Sequence, residues 1–230
     1  MKIPRSILIV AAHPDDEVLG CGGSAPLWAA QGASITTLIL GEGITSRYDA
    51  REDAPSDLVR MHEERARRAN ASIGISKVLF GGLPDQRFDS LPILDVIKRI
   101  EETIAQTGAE AVYVQHGGDL NMDHVVTFRA TMTATRPMRG RSVRALYAYP
   151  VASSTEWAFG QFAPRFSPTV FADISPTLAQ KIAAMQMYES ETRAFPHPRS
   201  PESLEAASKA WGSQVGLAAA EPFQLIWELR

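Results

Sequence analysis

Ser6-Ile7-Leu8-Ile9-Val10-Ala11-Ala12, followed with no spacer by His13-Pro14-Asp15-Asp16-Glu17, is the stretch on which the fold turns. Its first part is an unbroken apolar, β-rich run, the pattern of a strand covered on both faces in a parallel sheet. It comes first in the chain, so a central parallel sheet is expected. A run this short cannot span a bilayer, and the charged residues that end it do not suit a signal-peptide core.

Strands and helices alternate outward from it. The pattern predicts a helix near Gly22 to Gln31, a strand from Ser34 to Leu40 and a loop from Gly41 to about Pro55. A charged helix follows from about Ser56 to Ile73, then a strand from Ser76 to Phe80. Ile93, Leu94, Ile97, Ile100 and Ile104 recur at helical spacing within Leu91 to Gln106, and Ala111 to Val114 reads as a fourth strand. This is the order of a Rossmann-like, mostly parallel α/β sheet with helices on both faces. Pro150, Pro164, Pro168 and Pro176 interrupt the second half, which is expected to lie as irregular loops over the carboxyl edge of the strands. Helices near Ser175 to Tyr188 and Pro201 to Val215, and a last strand from Phe223 to Leu229, complete a single domain over 1–230.

The bulk composition narrows the function. With 45% hydrophobic residues in 230, the chain can bury a substantial core. Its 23 Lys+Arg against 26 Asp+Glu give a net charge of -3 and no field for nucleic acid or anionic lipid. Cys21 is the sole cysteine, which excludes an internal disulfide and a four-cysteine zinc site. The expected location is the cytoplasm, with no membrane span; a homo-oligomer is left open.

In open α/β sheets ligands collect beyond the carboxyl ends of the strands, where His13 to Glu17 fall. An imidazole and a carboxylate both suit a borderline cation, and a turn at Pro14 brings His13 and Asp16 together while leaving Asp15 free. The competing reading is that the three acids decorate a helix N-terminus. It accounts for Glu17, but less well for a histidine and three charges set directly against a buried strand. Just beyond, Gly20-Cys21-Gly22-Gly23-Ser24-Ala25 satisfies a permissive dinucleotide fingerprint, with Glu42 about twenty positions on. There the glycines should form the turn after the strand, and here the acidic segment intervenes, so they are assigned to close packing.

The fourth strand leads into Gln115-His116-Gly117-Gly118-Asp119-Leu120-Asn121-Met122-Asp123-His124, a second source of donors. Read alone, it is better explained as a capped helix start with Asn121 or Asp123 as the cap and His124 on the surface. Taken together, the two clusters resemble the PIG-L/LmbE-like family of metal-dependent N-deacetylases, marked by an AHPDDE segment after the first strand and a later Asp-His pair. Ala12 to Glu17 matches that segment in full. Gly41 to Arg47, Leu83-Pro84-Asp85 and Ala220-Glu221-Pro222-Phe223 resemble the family's later loops and its ending.

The resemblance implies a hydrolase that removes an N-acetyl group from an N-acetylglucosamine-type sugar or conjugate. His13, Asp16 and His124 would be ligands to Zn2+, with Fe2+ or another divalent metal able to use the same set, and Asp15 the general base. Many relatives carry a histidine three positions before the last ligand, where this chain has Asn121. Asn121 can donate a hydrogen bond to an oxyanion but no proton, so His116 is the nearest candidate donor to the departing amine, beside Asp15 itself. Asp123 is expected to orient a neighbouring group. For the substrate, Arg47 offers a guanidinium to hydroxyls or phosphate, and His197, within Phe195-Pro196-His197-Pro198-Arg199-Ser200, a loop able to close over a sugar. Trp157 and Phe159 are candidates for stacking on its ring.

Overall fold

A computed structural model describes residues 3–229; residues 1, 2 and 230, the ends of the expected 1–230 domain, lie outside the described residues. Its centre is β1 (Ser6–Ala11), whose residues from Ile7 onward have no exposed surface. Side chains alternate across a strand, and here the alternation divides two cores. Ile7, Ile9 and Ala11 face one cluster, and Leu8 and Val10 the other.

One seven-stranded sheet holds the chain in the order β3-β2-β1-β4-β5-β7-β6. Strands β2 (Ser34–Gly41), β3 (Lys77–Leu83), β4 (Ala111–Gln115) and β5 (Ala145–Tyr149) extend β1 in parallel. The antiparallel β7 (Ala220–Glu228) pairs with β5 and with β6 (Val170–Asp173). Helices α1 (Asp16–Cys21), α2 (Ser24–Ala30), α3 (Ser56–Ser72) and α6 (Leu178–Gln186) pack with the first core, as does Leu204 of α7 (Pro201–Ser213). Helices α4 (Ile93–Thr107) and α5 (Met122–Ala134) cover the other face. No helix among the described residues is long and apolar enough to cross a membrane.

The expected Rossmann-like sheet is therefore present, with two differences. The helix expected near Gly22 to Gln31 is α2, but a further short helix, α1, starts at Asp16, so the acidic segment is itself helical, and Gly22 and Gly23 separate the two. A Cβ on Gly20 would lie 2.2 Å from the Tyr149 ring, and one on Gly23 would lie 2.8 Å from Ile174, so these glycines serve close packing. The second half is also more regular than expected. The longest irregular stretch is Pro150 to Thr169, with one short 3-10 turn (Glu156–Ala158), and another loop joins α6 to α7, while β5 and β6 were not anticipated. Ala145-Leu146-Tyr147-Ala148-Tyr149 is too short and too alanine-rich to signal a strand by pattern; pairing with β4 and β7 makes it one.

Candidate metal centre

Strand order reverses between β1 and β4, the switch point at which loops diverge and leave a crevice beyond the strand ends. The loop after β1 delivers His13 to Asp16 there, and the loop after β4 delivers Asp119 to His124. Asn121 caps α5, its side-chain oxygen accepting from the Asp123 amide at 2.9 Å, which sets His124 on the first turn.

One ligand atom each from His13, Asp16 and His124 can be chosen so that all lie within 4.8 Å of one another, and all three residues are buried. His124 Nε2 stands 3.3 Å and His13 Nδ1 3.7 Å from Asp16 Oδ2. Donors around a tetrahedral zinc at its usual bond lengths stand roughly 3.3–3.6 Å apart, so the set suits one cation. Although close to Asp16, His124 Nε2 has no hydrogen-bond partner, an orphaned buried atom aimed where the cation would sit.

The far nitrogen of each imidazole is occupied. His13 Nε2 lies 2.9 Å from Asp123 Oδ2 and 3.3 Å from Asp85 Oδ1; His124 Nδ1 lies 3.1 Å from Asp119 Oδ1. An N–H held by a carboxylate on one side leaves a lone pair on the other, the arrangement that orients metal-bound histidines. His13, Asp85 and Asp123 also satisfy a metal-like spacing, but their oxygens are taken. Asp123 accepts from the Gln86 and Phe88 amides at 2.8 and 2.9 Å, and Asp85 from the Ser46 amide and hydroxyl at 3.1 and 2.6 Å. The donors of the second group are thus engaged within the protein, whereas the first group is the set that could hold a cation.

Electrostatics agree. Burial works against charge on His124, yet Asp16 and Asp119 outweigh it and raise the imidazole to about 10. Burial would also raise Asp16, but His124 and His13 pull it down to about 2. A cation would take the place of the His124 proton as counter-charge to Asp16.

Asp15 is not part of either candidate metal group. Its backbone holds φ 116°, a left-handed conformation costly for a side-chain-bearing residue. The carboxylate lines a polar cavity of about 210 Å³ with His13, Asp16 and His124. Burial pushes Asp15 up to about 8, against the pull of Arg199, whose Nη1 donates to Asp15 Oδ2 at 2.8 Å. Arg199 also reaches Ser153 Oγ at 2.9 Å and Glu191 Oε2 at 3.2 Å, and Glu191 in turn takes Arg47 at 2.5 Å.

Of the remaining candidates, Asn121 and Arg47 line this cavity, and Asp123 stands behind His13. His116 and His197 are not among the residues lining it. His116 is fully buried beside Phe128 and Phe166, with Nδ1 accepting the Gly118 amide. His197 packs edge-on against Trp157 and accepts the Arg199 amide at 3.1 Å; the loop thus presents Arg199, two residues on. Arg199, Glu191, Asp85 and Asp119 were not singled out from sequence. Only Asp85 and Asp119 carried a signal, since each metal-bound histidine calls for a carboxylate behind it.

Comparison with known proteins gives a consistent picture. Residues 8–135 match the family described as "PIG-L: GlcNAc-PI de-N-acetylase". The chain is 25% identical over 200 residues to "Probable N-acetyl-alpha-D-glucosaminyl L-malate deacetylase 2" of Bacillus cereus, covering 83% of this chain and 86% of that protein. The N,N'-diacetylchitobiose deacetylase of Pyrococcus horikoshii superposes with TM-score 0.77 at 15% identity, over 97% of this chain and 84% of that one. GalB, the 4-carboxy-2-hydroxymuconate hydratase of Pseudomonas putida, superposes equally well, with TM-score 0.77, 20% identity and 98% of each chain covered. At such identities the structural matches carry the fold alone, and that fold hosts more than one reaction.

Proposed function

Because the chain belongs to the PIG-L family, described as GlcNAc-PI de-N-acetylase, we propose that it is a zinc-dependent hydrolase that removes the N-acetyl group from an N-acetylglucosamine-type amino sugar or its conjugate. The observation that carries this reading is Asp15. Its carboxylate lies outside the candidate ligand set yet lines the same polar cavity as those three converging donors.

When bound, a divalent metal supplies Lewis acidity and brings a water toward ionisation at neutral pH. His13, Asp16 and His124 would hold it, and two neutral imidazoles with one carboxylate leave a net positive charge for catalysis. Asp15 accepts the proton of the attacking water as its oxygen bonds to the acetyl carbon. The same carboxyl then delivers that proton to the sugar nitrogen as the C–N bond breaks, giving acetate and a primary amine. Asn121 spends its side-chain oxygen on the α5 cap, which leaves its amide hydrogens to donate to the carbonyl oxygen under attack. His116 has no part in this scheme, because it does not reach the cavity wall.

Arg47 and Arg199 are each held by carboxylates of this chain, which leaves less positive charge to bind a polyanionic substrate and suits a neutral sugar. The test is primary amine release from a panel of N-acetylglucosaminyl compounds by metal-stripped and zinc-restored protein. Release that depends on added zinc is expected. Metal-independent release would overturn the mechanism, and release only from other N-acyl compounds would move the substrate elsewhere.

A further inference from the structure

Beside the polar cavity lies a larger space of about 600 Å³, within the range that takes a drug-sized ligand. Three loops frame both. Val151 and Ala152 line the two cavities together; Ser153 and Ser154 line the metal side, and Thr155 and Glu156 the larger one. Gly118 and Pro198 likewise line the larger cavity, while Asn121 and Arg199, from the same two loops, line the metal side.

The walls of the larger space are apolar, with Phe159, Phe166, Leu204 and Trp211 among them. The charged groups they include are engaged. Lys181 Nζ donates to Glu221 Oε1 at 2.6 Å and to the Leu19 carbonyl at 2.7 Å, and the Glu221 carboxylate accepts the Gly23 and Ser24 amides. Arg165 Nε donates to the Gly160 carbonyl at 2.8 Å, and Glu156 accepts the Ser153 amide. A polar ligand would find few free partners there. An apolar one would release water from aromatic and aliphatic surface.

We propose that this cavity receives the apolar aglycone of an alkyl or aryl N-acetylamino sugar whose amide lies in the adjoining polar cavity. The inference rests on the deacetylase reading for its chemistry but not for its binding. It makes the aglycone a determinant of specificity, since each methylene fully buried is worth about fourfold in affinity.

The experiment compares the methyl and octyl β-glycosides of N-acetylglucosamine. With zinc-loaded enzyme, kcat/KM for the octyl compound should exceed that for the methyl compound by at least tenfold. Ala207→Trp, on the α7 wall of the cavity, should remove most of that advantage and leave methyl glycoside turnover unchanged. Calorimetric titration of both glycosides into metal-free protein reads binding separately from chemistry. Tighter octyl binding, lost in Ala207→Trp, would support the cavity assignment even with no turnover, in which case the deacetylase reading alone fails. Equal affinities, an equal loss for both glycosides in the variant, or a dimer that buries the Ala207 face and ignores the octyl chain would overturn the proposal.

Discussion

Replacing Asp123 with alanine should weaken zinc binding while leaving all three proposed ligands in place. Asp123 Oδ2 sits 2.9 Å from His13 Nε2, and losing such an outer carboxylate costs about 10- to 100-fold in metal affinity, or roughly 1.4–2.7 kcal/mol. The same carboxylate accepts the Gln86 and Phe88 amides, and Phe88 is fully buried, so water cannot replace the lost partner there. One orphaned buried N–H costs about 1–3 kcal/mol, so the metal-free variant should also unfold more easily. Asp123→Asn is the informative companion: it fills the same volume and keeps one acceptor, but cannot serve His13 and both amides. It should show most of the zinc defect with less of the stability defect. Zinc affinity is measured by competition with a chromophoric chelator, and stability by thermal melting of the metal-free proteins. If Asp123→Ala held zinc within twofold of the parent chain, His13 would not be oriented through Nε2, and the division into coordinating and orienting groups would be wrong.

Three further outcomes follow from the same geometry. Asp15→Asn should retain zinc but lose turnover by roughly 10²- to 10⁴-fold; a variant with near-parental rates would remove Asp15 as the base. Arg199 pulls the Asp15 carboxyl down, so Arg199→Ala should move the acid limb of the kcat/KM profile to higher pH, with a larger loss at pH 6 than at pH 9; an unmoved limb would refute that role. In metal-free protein His124 is raised to about 10, so zinc uptake at pH 7 must expel its proton and tighten as pH rises. Because the folded value of His124, about 10, exceeds its ordinary 6.5, its contribution to metal-free stability is complete below 6.5 and is lost as pH climbs toward 10. Calorimetry in buffers of different ionisation enthalpy reads the protons, and melting temperature against pH reads the stability; no release would show neutral imidazoles at the outset.

Much of the site was legible because its residues are adjacent in sequence to strong signals. His13, Asp15 and Asp16 follow the most apolar run in the chain, and His124 follows a second strand by way of a glycine pair. Asp123 was readable as a supporting carboxylate for the same reason. His116 and His197 became candidates because a histidine near a site looks like chemistry in one dimension. In three dimensions His116 turns among Phe128 and Phe166, and His197 packs against Trp157. Arg199 escaped notice since its partner, Asp15, lies 184 positions away.

The order of apolar runs made a mostly parallel α/β sheet readable from sequence, and the acidic segment set without spacer against the first of them put candidate metal donors at its carboxyl edge. These are local properties: periodicity and adjacency survive in one dimension. Only the tertiary structure decided which nitrogen of each imidazole a carboxylate holds, which arginine counters Asp15, and that a wide apolar cavity adjoins a small polar one. Those depend on side chains brought together from distant loops, and spacing along the chain carries no record of such meetings.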